Sequence, residues 1–262
     1  MSALIYFSFG MTKSGSTLAY ELARSALVLA GYEQPRLSTK AVLDRKKLNF
    51  VAHLDADAVA ALKAETAALG TPVAIKTHTR PDAEVVKLLQ SGEATAHAVY
   101  RDPRDMALSM VDHGARALAK GKTAFTEFKT AEDAIENICH QTNSLRSWLS
   151  LPNVRPLFYD DVAFDTEKTV GLMLAELGVD VPPEDVIYMA AHQRFTQLNK
   201  GVRARHETEM APELSARFKE IFAPFYERLI DNRAGLSRDG SPVMGADDAL
   251  CLWSEHETGE NP

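Results

Sequence analysis

The chain opens on an apolar run, Leu4-Ile5-Tyr6-Phe7-Ser8-Phe9, whose β-branched and aromatic residues predict a buried first strand. No basic segment precedes it and a small-residue turn follows, so it reads as a strand and not as a signal peptide. From Thr17 to Ala30, Ala and Leu recur at helical spacing, and Gly31 supplies a stop. Residues 32–50 carry Pro35 and scattered charges and predict an irregular excursion. Helical periodicity returns over Asp55–Leu69 and ends at Gly70. Pro72-Val73-Ala74-Ile75 predicts a second strand running into Lys76-Thr77-His78, followed by a helix over 81–90. Thr95–Tyr100 predicts a third strand. Arg101-Asp102-Pro103 then opens a helix towards Lys120, with Asp102 as N-cap and Pro103 in its first turn. A helix over 131–149, a fourth strand over Val154–Tyr159 and helices over 165–177, 183–192 and 212–233 complete the pattern.

Strand and helix alternate, which predicts the α/β class: a mostly parallel central sheet flanked by helices on both faces. The expected organisation is one domain over residues 1–234 and a loosely ordered Gly-, Asp- and Glu-rich tail over 235–262, despite an apolar patch at Leu250–Trp253. No internal repeat is present. At 262 residues, 45% apolar and 25% charged, the chain matches a soluble globular protein. Its net charge of −7 argues against nucleic acid as a partner, while leaving room for a small anion held by a local field. No apolar run approaches the roughly 20 residues of a membrane span. Cys139 and Cys251 stand far apart without metal-ligand neighbours, so they are expected as free thiols in a reducing compartment, and the chain as cytoplasmic.

The candidate chemistry lies at the strand ends. Gly10-Met11-Thr12-Lys13-Ser14-Gly15-Ser16-Thr17 joins a strand to a helix, where backbone N–H groups and a helix N-terminus converge on an oxyanion. It matches both glycines and the final Thr of G-x-x-x-x-G-K-[ST], but the lysine comes three residues early, as Lys13. A mid-loop lysine reaches the terminal group of a ligand shorter than a triphosphate. Lys76-Thr77-His78 ends the second strand, at the sheet edge where open α/β folds place their ligands. Arg101 ends the third strand and Ser109 follows eight residues later, a guanidinium fork and a hydroxyl suited to a phosphate.

These segments resemble the PAPS-dependent sulfotransferase family, PAPS being 3′-phosphoadenosine 5′-phosphosulfate. Thr12–Thr17 is similar to its 5′-phosphosulfate loop, Y-P-K-S-G-[TS]-[TN]-W, with Leu18 in place of the closing aromatic. Lys76-Thr77-His78 is similar to its K-T-H segment, and Arg101–Ser109 to its R-[ND]-P-x-D-x-x-x-S signature. The resemblance implies a P-loop-like sulfotransferase architecture and sulfuryl transfer from PAPS to an acceptor hydroxyl, releasing 3′,5′-adenosine bisphosphate (PAP). It implies His78 as general base. Lys13 would stabilise the leaving phosphate and Lys76 would help bind the transferring group. Ser14, Gly15, Ser16 and Thr17 would hold the 5′-phosphate, and Arg101 and Ser109 the 3′-phosphate. An acceptor hydroxyl needs such a base, because an alcohol or phenol is a poor nucleophile until its proton leaves.

Phe158-Tyr159-Asp160-Asp161 resembles the family's [LYF]-Y-E-D segment and sets Tyr159 near the adenine. Phe195 resembles the aromatic of an S-F motif. Asn199-Lys200-Gly201 resembles an R-K-G loop, which makes Lys200 and Gly201 ligands of the 3′-phosphate, with Arg203 and Arg205 supplying charge that Asn199 lacks. His97, His113 and His140 have no comparable setting and read as structural. No metal is required. The partner is a small-molecule or carbohydrate hydroxyl acceptor, and no oligomeric state is assigned. Two alternatives compete. A P-loop small-molecule kinase needs Mg²⁺ and a lysine after Gly15, where Ser16 stands. A non-catalytic nucleotide-binding module would keep the fold without the chemistry.

Overall fold

Successive side chains of a strand point to opposite faces, and the first strand, β1 (Ile5–Gly10), divides the molecule accordingly. Ile5, Phe7 and Phe9 enter one apolar cluster, and Tyr6 enters the other. The computed structural model describes residues 5–45, 48–193, 201–233, 236 and 240–253. In chain order β1 is followed by helix α1 (Ser16–Leu29), strands β2 (Val42–Arg45) and β3 (Leu48–Val51), and helix α2 (Ala56–Leu69). Next come β4 (Val73–Thr77), α3 (Ala83–Ser91), β5 (Ala94–Tyr100), α4 (Pro103–Leu118) and α5 (Ile135–Leu149). β6 (Val154–Phe158), α6 (Tyr159–Phe164), α7 (Thr166–Leu177), α8 (Pro183–Tyr188), α9 (His206–Glu209) and α10 (Pro212–Ile221) complete the order.

The six strands form one sheet in the order β2-β3-β4-β1-β5-β6. All neighbours run parallel except β2, which folds back on β3 as an antiparallel edge. α1, α7 and α8 cover the Tyr6 face, and α2 to α5 with α10 cover the Phe7 face. The expected α/β architecture is therefore present, with two strands more than the four predicted. Both lie in the stretch expected to be irregular. There the support comes from side-chain amides: Gln34 donates to Pro72 O at 2.6 Å and accepts from Ala74 N at 3.0 Å, serving the start of β4 where β3 does not reach. Asn49 accepts from Leu37 N and donates to Pro35 O.

Two expectations are corrected. Cys139 of α5 and Cys251 are joined as a disulfide across 112 residues, with Cα atoms 5.6 Å apart. The pairing removes the free-thiol argument on which the cytoplasmic expectation rested. In the tail, the described stretch 240–253 is packed: Met244 and Leu250 are buried in the Phe7-face cluster. Its backbone bonds to the body through Asn153 N to Gly240 O, Val243 N to Leu149 O and Leu252 N to Ile221 O, each 2.8 Å. Among the described residues no helix is long and apolar enough to cross a membrane.

Candidate active site

β1, β4 and β5 are adjacent and parallel, so their carboxyl ends deliver Gly10, Thr77 and Tyr100 to one edge. The loop after β1 reverses sharply there. Lys13 (φ 68°) and Gly15 (φ 84°) both take left-handed backbone, which costs a non-glycine residue about 1–2 kcal/mol. Gly15 has a second reason to lack a side chain: a Cβ would stand 2.7 Å from the ring of Tyr159. Ser14 is wholly buried and turns its hydroxyl onto Met11 O at 2.6 Å, fixing the loop internally. Ser16 and Thr17 form the first turn of α1. Thr12 N donates to Gln141 Oε1 of α5.

The end of β4 closes on this loop from one side. Lys76 is buried and its Nζ donates to Thr17 Oγ1 at 2.6 Å. His78 lies one residue past the strand, with Nδ1 2.6 Å from Gly10 O. A carbonyl only accepts, so Nδ1 carries the ring proton and Nε2 is the basic nitrogen. That is the tautomer a general base requires. Phe50 of β3 packs beside the ring with centroids 5.5 Å apart, and Trp148 Nε1 donates to Thr79 O at 2.9 Å, holding the turn that follows.

The end of β5 closes from the other side, and its charged motif divides in two. Asp102 and Arg104 face away from the loop: Arg104 forks onto Asp102 at 3.0 and 2.7 Å, and Tyr226 donates to the same carboxylate. Arg101 and Asp105 face the loop. The Arg101 guanidinium is buried, lies 4.0 Å above the Tyr159 ring, and makes only long contacts of 3.5 Å to Lys13 O and to Asp105. Its Nε has no hydrogen-bond partner among the described residues. Burying a guanidinium held only by such long contacts among the described residues is costly, and its planar fork has the geometry to pair an anion. Burial pushes the Asp105 carboxyl up, but bonds from His206 N and Nδ1 and the charge of Arg101 outweigh it and hold the group below the usual carboxylate range. Ser109 is buried on α4, one turn beyond Asp105.

Lys13 sits between the two sides. Burial first, then the charges of Arg116 and Arg101, lower its ammonium from 10.5 to about 8, against the pull of Asp112. The lysine is still cationic at pH 7. Lys13, Lys76, His78, Arg101 and Tyr159 thus meet around one loop, with Ser14 to Thr17 forming its floor. Phe195 and Lys200 lie outside the described residues. Gly201 is described, exposed and left-handed (φ 62°). Arg205 does not supply charge to an open site: it is buried against Asp112 at 2.8 Å and Glu209 at 2.6 Å. Arg203 stacks 4.6 Å from the Phe164 ring.

Sequence reasoning missed three contributors. His113 Nδ1 lies 3.0 Å from Lys13 Nζ, Phe125 packs against both, and Gln141 holds Thr12. A usable signal existed for His113. Asp105, Ser109 and His113 follow at steps of four along α4 and share one helix face. His97 is buried between Tyr6 OH and Ser8 Oγ, where burial lowers it to about 3, and it remains neutral.

Residues 6–220 match the family model described as the sulfotransferase domain. Among solved structures, mouse sulfotransferase SULT7A1 complexed with PAP is 17% identical, covers 90% of this chain and 87% of its own, and superposes with a TM-score of 0.55. Retinol dehydratase in complex with retinol and PAP is also 17% identical, covering 84% of this chain and 80% of its own at a TM-score of 0.53. The same enzyme with androsterone and inactive cofactor PAP is 16% identical at a TM-score of 0.52, with the same coverage. At these identities the likeness is one of fold. No curated protein matches the chain in sequence.

Proposed function

The chain belongs to the sulfotransferase family, and from that premise we propose that it moves a sulfuryl group from PAPS to the hydroxyl of a small-molecule or carbohydrate acceptor. The observation that carries this reading is the convergence of Lys13, Lys76 and His78 with a buried, under-bonded Arg101 on one sheet edge. PAPS, when bound, supplies the activated sulfuryl group and a bisphosphorylated leaving nucleotide.

The residues fit such a ligand. Ser16 and Thr17 open α1, so their N–H groups are directed at the loop's concavity and suit the 5′-phosphate. Arg101 and Ser109 suit the 3′-phosphate, with Asp105 orienting the guanidinium. Tyr159, already stacked under Arg101, lines the nucleoside side. Lys13 holds a positive charge at the loop apex, where negative charge develops on transfer, and Lys76 holds a second one beside Thr17. His78 takes the acceptor proton on Nε2 while Gly10 O fixes its ring. Phe50 beside His78 and Phe125 beside Lys13 give the acceptor side aromatic walls.

Calorimetric titration with PAP, ADP and ATP tests the nucleotide assignment: PAP is expected to bind at least ten-fold more tightly than either. His78→Ala is expected to lower turnover by roughly 10²–10⁴ with little change in PAP affinity. Equal affinity for ADP and PAP would remove the 3′-phosphate site, and full turnover in His78→Ala would remove the base.

A further inference from the structure

We propose that His113 is a positioning residue for Lys13, selecting one place for its ammonium at the loop apex; this rests on the sulfuryl-transfer reading above. The contact is direct, 3.0 Å from Nζ to Nδ1. An ammonium has only hydrogens to offer, so Nδ1 is the acceptor and the imidazole proton resides on Nε2. A lysine otherwise samples many rotamers about its flexible stem, and a misplacement of about 1 Å at a reacting centre can cost up to roughly 10²-fold in rate.

The imidazole is itself held. Phe125 meets it edge-on with centroids 4.9 Å apart, and the same ring lies 5.8 Å from Lys13 Nζ. Phe125 can come this close because residue 114 is glycine: a Cβ there would stand 2.1 Å from Phe125 O. Phe125 (φ 64°) and Lys13 (φ 68°) are both left-handed non-glycine residues, and both touch His113. Such conformations persist where the surroundings over-determine them. His113, Gly114 and Phe125 therefore act as one support, reaching the site from the later turns of α4 and the segment that follows it. The charged groups facing Lys13 are Arg101 from the end of β5 and Asp112 and Arg116 from α4.

The test uses the full chain with ¹³Cε-labelled lysine, the Lys13 resonance being assigned by its loss in Lys13→Arg. His113→Phe keeps a flat ring against Phe125 and removes the acceptor. His113→Asn sets an amide oxygen near the place of Nδ1. In His113→Phe the Lys13 titration midpoint is expected to fall, because a neutral acceptor no longer stabilises the ammonium. Turnover of PAPS with the best acceptor from a panel of phenols and alcohols is expected to fall roughly ten-fold, with PAP affinity within about three-fold. His113→Asn is expected to recover part of both. If His113→Phe does not fold, His113→Gln, whose oxygen reaches the Nε2 position instead, is expected to show the same two losses. A variant lacking the Nδ1 acceptor that titrates and turns over like the parent overturns the proposal. If the parent itself shows no PAPS-dependent turnover, the transfer reading fails, and the midpoint shift still decides whether His113 sets the state of Lys13.

Discussion

The loop apex around Lys13 and the strand tip around His78 occupy the same sheet edge and are held in different ways. At the strand tip the backbone of Val73–Thr77 is regular, its register comes from β1, and β3 joins it at Lys76 and Thr77. The sheet places the residues, and side chains need only trim them. At the apex the backbone is left-handed at residues 13 and 15, and no ladder supports it. Its contacts arrive from far along the chain: Arg101 to Lys13 O, His113 to Lys13 Nζ, and Gln141 to Thr12 N. A site can therefore combine one part whose geometry follows from secondary structure with another whose geometry depends on tertiary contacts. The second part should be the more easily disturbed from a distance.

Helix α5 makes the comparison testable, because it serves both regions and is itself tied to the tail by Cys139–Cys251. Replacing both cysteines by serine opens a closure spanning 112 residues. The expected loss is about 2–5 kcal/mol of stability, read as a lowered denaturant midpoint against the parent protein. Unchanged stability would mean that the tail's backbone bonds and the burial of Leu250 alone fix the segment.

A smaller effect separates the two regions themselves. Gln141→Leu and Trp148→Phe each remove one α5 hydrogen bond, the first to the apex and the second to the turn after His78. Leaving Thr12 N–H without its partner costs about 1–3 kcal/mol, and the loop has no ladder to absorb it. PAP affinity is expected to drop roughly ten-fold in Gln141→Leu, since 1.4 kcal/mol corresponds to that factor. In Trp148→Phe the sheet register persists, so PAP affinity is expected to stay within about three-fold even if the core loses stability. Equal losses in the two variants would erase the distinction between apex and tip.

The same distinction explains what was legible in the sequence. Residues whose position follows from local backbone were found: Lys76 and His78 at the end of a buried apolar run, Arg101 at the end of another, and Gly15 at a strand-to-helix turn. The capping residue Asp102 and the stop at Gly70 were legible for the same reason. Residues recruited by tertiary contact were not. Gln141 and Phe125 carry no local signature of a site, and His113 had only its four-residue spacing from Ser109. β2 and β3 are four residues each, too short for periodicity to register, and the amide of Asn49 in β3 is what ties them to the chain before them. The disulfide joins two cysteines with no motif spacing. The apolar patch at Leu250–Trp253, taken as part of a loose tail, was the one sign that this end packs back.

The smallest expected effect is a pH dependence confined to the apex. Burial lowers the Lys13 ammonium from 10.5 to about 8, helped by Arg116 and Arg101 and opposed by Asp112. Below pH 8 folded and unfolded chains both carry this proton, and the cost of burying the charge is fully present. Between about 8 and 10.5 the folded chain has released a proton that the unfolded chain still binds, so this group's contribution to stability improves as pH rises. Catalysis runs the other way, because the deprotonated lysine no longer offers a positive charge. The alkaline limb of kcat/KM, which reports the free enzyme, should therefore bend near pH 8. Over the same window the denaturant midpoint of the parent should gain on that of Lys13→Met. A base at the strand tip cannot produce this pair of opposed trends, since losing a proton makes His78 competent. Activity that holds level to pH 10, or a midpoint difference that does not move, would show that the apex lysine titrates like an ordinary exposed one.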